Sequence, residues 1–312
     1  MTETPLPQRF RGKIAGARAA RAARAARALA DRLLLALASL VLGIFLSLPY
    51  ERRVRTAGWI ASRVVAPLSS TRRRIRNNLA HVFPDMPSAE VERLCRAVPD
   101  NMGRSFIEMF SAAEVAERAA TTPIEGPGYA AIVEARRTGR PVIIVTGHIG
   151  NYDVARAALI ARGFELGALY RPMGREALNR RYLAAMEATG KPLFPRSRAG
   201  MAAMMRFLRE GGMLAIVLDQ YAKLGSVELD FLGKPAYTSL SAAELALKLD
   251  APLIPGYAIR QPDGLSFRIW ADAPIPHGDP QVMTQAFNDS LAAQIRANKG
   301  QWLWTYPRWR RS

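Results

Sequence analysis

PVIIVTGHIGNYDVARAALIA, residues 141–161, decides the reading of this chain. Pro141 is followed by the apolar run VIIV (142–145), which reads as a buried strand, and YDVARAALIA (152–161) reads as a helix. Gly147 and Gly150 loosen the backbone between them, so His148 falls on a strand-to-helix loop. Four residues lie between His148 and Asp153. On one unbroken helix, steps of about 100° would place them roughly 140° apart, so a turn must intervene for the two side chains to meet. Asp153 in the first helical turn is then placed to fix the tautomer of the imidazole and leave its other nitrogen to take a proton.

Alternation continues beyond this unit. Strand candidates are 142–145, 166–170, 213–218, 253–259 and 265–270; helix candidates are 129–137, 152–162, 175–189, 199–210, 238–249 and 281–297. The pattern predicts an α/β fold with a mostly parallel central sheet covered by helices. Ligand sites in such sheets gather beyond the carboxyl ends of the strands, where His148 lies. Upstream, a helical region runs from an N-cap at Ser88 towards Arg118 with a break at Pro99.

Two other residues follow apolar strands to the same edge. Asp219, in VLDQ (217–220), rivals Asp153 as the carboxylate that orients His148; Asp153 is the preferred partner. Arg171, in YRPM (170–173), aims a guanidinium there, and Arg196 and Arg198 in PRSR (195–198) add cations for phosphate. The other histidines are His81, in a helical pattern, and His277, in the loop PIPHGDP. There is no Gly-x-Ser-x-Gly elbow and no phosphate-binding loop ending in Gly-Lys-Ser or Gly-Lys-Thr, and the GPG at 126–128 reads as a turn.

The chain has 312 residues, enough for one large α/β domain, and a net charge of +18 that suits an anionic partner. Arginine far outnumbers lysine, and its planar fork matches phosphate. A GC-rich genome accounts for the same excess, as in ARAARAARAARALA (17–30), and composition does not separate the two. Nucleic acid is the weaker candidate and is not expected as a partner, because no helix-turn-helix, paired-cysteine zinc site or stacked-aromatic signature accompanies the charge. LLLALASLVLGIFLSLPY (33–50) is uncharged and flanked by arginines on both sides, which predicts a spanning or interfacial anchor. The predicted organisation is therefore a basic arm (1–32), the anchor (33–50) and a globular domain (51–312). The single Cys95 precludes an internal disulfide and suits a reducing, cytoplasm-facing domain. Near the C-terminus Trp302, Trp304 and Tyr306 alternate, followed by Trp309 among arginines; this suits either a lipid headgroup layer or core packing.

Beyond about residue 50 the chain resembles the lipid A late acyltransferases of the lauroyl and myristoyl type, within the wider lysophospholipid-acyltransferase group. The resemblance rests on RIRNNLAHVFPDMPSAEVERL (74–94), IEGPGYAAIVEARRTGRPVIIVTGHIGNYD (124–153), YRPM, VLDQ, DFLGKPAYTSLSAAELALKLDAPLIPGYAIR (230–260) and QWLWTYPRWR (301–310), in that order. Two departures stand out: the commoner members have Glu at the position of Asp153, and His-Arg at Tyr306 and Pro307.

The resemblance implies an enzyme that moves a fatty acyl chain from an acyl carrier protein thioester to a hydroxyl of a lipid A precursor, at the cytoplasmic face of the inner membrane. It implies His148 as general base, Asp153 or Asp219 as its partner, and Arg171, Gln220, Arg196 and Arg198 as substrate-binding residues. The reaction needs no metal and no cofactor. The alternatives are an acyltransferase acting on a lysophospholipid or glycolipid with acyl-CoA as donor, and a catalytically silent membrane scaffold.

Overall fold

Val142–Thr146 forms strand β2, fully buried at the middle of a seven-stranded sheet, in a computed structural model that describes residues 36, 39–174, 176–221 and 225–309. The chain divides into two units, Met1–Leu48 and Pro49–Ser312. In the first, residues 39–46 are helical and a turn follows. No helix among the described residues is long and apolar enough to cross a membrane; residues 33–35, 37 and 38 of the expected anchor, and the basic arm 1–32, lie outside them. The expected boundary at residue 50 shifts, because Tyr50 opens a helix of the second unit and buries its ring there.

That unit begins with α1 (Tyr50–Ile60), continued by a π-helical turn (Ala61–Val65), then α2 (Thr71–Val82), α3 (Ser88–Met109) and α4 (Ala112–Thr121). The α/β part follows: β1 (Ile124–Glu125), α5 (Gly128–Arg137), β2, α6 (Tyr152–Ala161), β3 (Leu166–Tyr170), α7 (Glu176–Thr189), β4 (Leu193–Pro195) and α8 (Arg198–Arg209). It closes with β5 (Met213–Val217), β6 (Ser226–Phe231), β7 (Lys234–Ser239), α9 (Ser241–Leu249), β8 (Leu253–Arg260), β9 (Phe267–Ala271) and α10 (Pro280–Ala297).

The sheet order is β1-β9-β8-β2-β5-β3-β4. Every pairing in it is parallel except β8 with β9, which turns β9 and its neighbour β1 against the rest. Side-chain alternation along β2 divides the core. Ile143 and Val145 join the cluster with Leu214, Leu253, Phe287 and Leu291, whereas Val142 and Ile144 join Leu159, Leu166 and Ile254. Helices thus cover both faces, as a parallel sheet requires.

Three expectations need correction. Helix α3 runs unbroken through Pro99, which is buried inside it, and the break comes at Phe110 and Ser111. Proline removes one backbone hydrogen bond, but α3 is held on both sides of it by Leu94, Cys95 and Ile107 in the core. Ser88 is the first helical residue, with Pro87 at the cap. Residues 238 and 239, assigned to a helix, end strand β7, which pairs antiparallel with β6 across a two-residue turn. Leu232 and Gly233 both adopt positive φ in that turn, +60° and +83°. Leucine is an unusual first residue for such a hairpin, which favours Asn-Gly or Asp-Gly.

A buried ion pair ties the N-terminal helices to the sheet. Both nitrogens of the Arg260 fork donate to Glu108 at 2.6 Å, and Arg260 Nε donates to Asn101 at 2.9 Å. Asn151 Nδ2 donates to the same carboxylate at 2.7 Å, and the Gly150 carbonyl accepts from Asn101 and Ser105. Gly150 must be glycine: its φ is +60°, and a Cβ would lie 1.9 Å from the Ala258 carbonyl oxygen. Helices α1 and α3 touch where Gly103 meets Ala57 and Ala61.

Removing one partner of a buried pair leaves an uncompensated charge, so Glu108→Ala is expected to cost roughly 3–5 kcal/mol, read as a fall in the urea midpoint. Glu108→Leu combined with Arg260→Met should recover much of that loss. A single variant as stable as the parent would show that the pair does not hold the helices in place.

Candidate active site

Register along the sheet builds the site. Strands β2 and β5 are parallel neighbours with Val145 opposite Ile216 and Thr146 opposite Val217. Continued two residues past the strand ends, that register brings His148 beside Asp219. His148 Nδ1 lies 2.6 Å from Asp219 Oδ1, and the His148 backbone N–H donates to Asp219 Oδ2 at 2.8 Å. The indole N–H of Trp302 donates to that same Oδ2 at 2.8 Å. The adjacent pair β3 and β4 repeats the device: Tyr170 is opposite Pro195, so Arg171 and Arg196 leave the sheet side by side.

The preference for Asp153 as the imidazole's partner is therefore corrected in favour of Asp219. Asn151 caps α6 by accepting the Asp153 backbone N–H at 3.1 Å. The Asp153 side chain is half-buried in the cavity wall and, among the described residues, accepts no hydrogen bond. Sequence proximity pointed to the residue on the same loop and helix, while parallel register selects one 71 positions away.

The electrostatics follow. Burial works against the Asp219 charge, but the His148 ring, the His148 amide and the Trp302 indole reverse this and hold the carboxyl below its usual range. Burial likewise disfavours the imidazolium; Asp219 outweighs it, with a smaller contribution from Asp153, and raises the His148 pKa above its ordinary value. Burial pushes the Asp153 carboxyl up, only partly offset by Arg156 and His148. With Nδ1–H donated to Asp219, Nε2 is left as the basic atom, and the Gln220 amide lies 3.4 Å from it. Tyr152 stands edge-on to the imidazole at 5.7 Å.

His148 opens into a cavity of about 850 Å³. Its wall is mixed: aliphatic residues such as Ile144, Leu159, Leu166, Met186, Ile216 and Leu218 stand beside Tyr152, Asp153, Arg156 and Tyr182. Arg171, Arg196, Arg198 and Gln220 also line it, so the structure brings the expected substrate-binding residues to one rim. The three arginines are exposed, and none has a side-chain partner among the described residues. His81 and His277 lie elsewhere; His81 packs against Trp309, and His277 Nε2 lies 3.0 Å from the Ala251 carbonyl oxygen.

Trp302 was missed as a site residue. The aromatic run at the C-terminus is core: Trp302 and Trp304 are buried and meet edge-on at 4.7 Å. Each indole removes about 200 Å² from water, on the order of 5 kcal/mol as an upper estimate. Backbone bonds lace the segment to the histidine loop, from Leu303 N–H to the His148 carbonyl and from Gly150 N–H to the Gln301 carbonyl. Asn78 holds it from α2 by donating to the Trp304 and Tyr306 carbonyls. Only the alternation of tryptophans hinted at this, and alternation does not say which atom an indole meets.

Nuclear magnetic resonance titration of the three histidines should place His148 above the ordinary imidazole range. Asp219→Asn removes the opposing charge and leaves burial, so the midpoint should fall below that range, whereas Asp153→Asn should lower it less. Equal effects of the two substitutions would dissolve the distinction between the carboxylates.

Two relatives are phosphatidylinositol mannoside acyltransferases. The one from Mycobacterium tuberculosis is 25% identical over 241 residues, covering 76% of each chain. The one from Mycolicibacterium smegmatis is 23% identical over 239 residues, covering 76% of this chain and 79% of its own. Residues 24–311 match the family model described as bacterial lipid A biosynthesis acyltransferase; the chain belongs to that family and is an acyltransferase.

Proposed function

We propose that the protein transfers a fatty acyl chain from an acyl carrier protein thioester to a hydroxyl of a lipid A precursor, at the cytoplasmic face of the inner membrane. One observation carries this reading: the His148–Asp219 pair opens into a cavity walled in part by aliphatic side chains, whose rim bears three arginines with no side-chain partner among the described residues. The aliphatic part of the wall suits a hydrocarbon chain, and the rim suits a phosphorylated headgroup, which arginine grips bidentately. The net charge of +18 favours both an acidic carrier protein and an anionic lipid.

In the proposed reaction His148 Nε2 takes the proton of the acceptor hydroxyl as its oxygen bonds to the thioester carbon. The carbon–sulfur bond then breaks, and the imidazolium returns the proton to the departing thiolate. Asp219 holds the tautomer and stabilises the transient imidazolium; Arg171 at the rim steadies negative charge on acceptor or oxyanion.

A second reading is the glycolipid alternative with acyl-CoA as donor, and the names of the relatives favour its acceptor, a phosphatidylinositol mannoside. Mass spectrometry of lipids from cells lacking the protein, and an assay offering each acceptor with each thioester, would separate the two. Loss of an acyl chain from lipid A supports the first; preference for the inositol lipid or lysophosphatidic acid with acyl-CoA overturns it.

His148→Ala should lower turnover roughly a hundred- to ten-thousand-fold with folding intact. Asp219→Asn should be more damaging than Asp153→Asn, and the reverse ranking would return the orienting role to Asp153. Trp302→Phe, which keeps an aromatic ring but loses the indole N–H, should lower kcat more than it raises KM.

Arg171→Ala should raise the requirement for acceptor more than for donor, and added salt should weaken acceptor use. Arg171→Lys should rescue poorly because it lacks the fork. Donor and acceptor affected alike would remove Arg171 from headgroup recognition.

A further inference from the structure

An apolar and cationic surface lies on α1 and its continuation, away from the catalytic cavity. Trp59 is 57% exposed and Leu68 85%, and Val64 and Val65 between them are also exposed. The backbone explains the crowding. The Ala66 N–H reaches back five residues to the Ala61 carbonyl at 2.9 Å, so this turn carries an extra residue. Ser62 and Ala66 stay buried, Ser62 bonded to the Arg96 carbonyl, while Arg63, Val64 and Val65 emerge in succession.

Within residues 50–76 the charge is almost all of one sign, while Asp100 and Asp263 line the recess beside Trp59 together with Arg55 and Arg104. Residues 50–76 hold eight arginines and a single carboxylate, Glu51, which faces Arg118 at 3.5 Å. Arg52, Arg63, Arg73 and Arg74 are exposed and have no side-chain partner among the described residues. A second copy of the chain would bring like charges together. An acidic protein would have to match each cation and each aliphatic side chain in place. A bilayer of anionic lipid accepts both without register: the tryptophan and arginines suit the headgroups, and the leucine and valines suit the acyl boundary beneath.

We propose that Trp59–Leu68, with its ring of arginines, is a membrane-docking face for anionic lipid. Of the two readings that sequence left open for the C-terminal tryptophans, Trp302 and Trp304 take core packing, so they offer no face to lipid. This inference does not depend on donor or acceptor, because its test reads contact rather than turnover.

Full-length protein would be mixed with vesicles of phosphatidylcholine, alone or with phosphatidylglycerol, carrying brominated chains that quench tryptophan on contact. Quenching is expected with phosphatidylglycerol, and Trp59→Phe should remove most of it. Val64→Gln with Leu68→Gln should weaken binding about tenfold, and each of Arg63→Gln and Arg73→Gln about fivefold. These exposed substitutions should leave thermal unfolding unchanged. Quenching that survives Trp59→Phe, or equal binding to neutral vesicles, would overturn the proposal. So would variants that bind vesicles normally but lose an acyl carrier protein, which would make the face a protein interface.

Discussion

A carboxylate taken out of water at the edge of a sheet must be given donors, and Asp219 has three: the imidazole, the backbone amide of His148 and the indole of Trp302. Each comes from a segment that the carboxylate thereby fixes. The histidine loop is held at both ring and backbone, so the imidazole has one orientation and one tautomer. The C-terminal segment is drawn under the loop, and its tryptophans fill the core beside β2 and β5. Leaving this buried charge with fewer donors would cost more than any single hydrogen bond returns, which makes the arrangement close to all-or-none.

A second buried charge supports the first from the other side. Glu108 and Arg260 neutralise each other, and the polar groups around them, Asn101, Ser105 and Asn151, grip the backbone of Gly150 and the start of α6. The histidine loop is thus bounded by two desolvated carboxylates, one paired with its side chain and one with the scaffold behind it. Between them the loop has little freedom, as suits the general-base role proposed for His148.

Much of the α/β part was legible because buried parallel strands are continuous apolar runs: VIIV, MLAIV and the strand ending at Arg260 announce themselves. Strand ends were also legible, and with them His148, Asp219 and Arg171. Pairing was not. Which carboxylate meets the imidazole depends on β2 and β5 being neighbours, and strand order is a property of the whole chain. The β6–β7 hairpin was hidden by Leu232, whose strained backbone is tolerated because its side chain is buried. Pro99 misled for a related reason: local propensity argues for a break, and tertiary packing overrules it.

The lacing of residues 301–303 to the histidine loop carries a consequence for biosynthesis. During translation β2, β5 and the cavity walls emerge well before the tryptophan segment, so a nascent chain holds His148 and Asp219 without the third donor. On the proposed mechanism such a chain lacks one of the groups that fix Asp219, even with its sheet formed. Should α1 reach a bilayer early, attachment to lipid would precede the onset of chemistry, and activity would switch on in place.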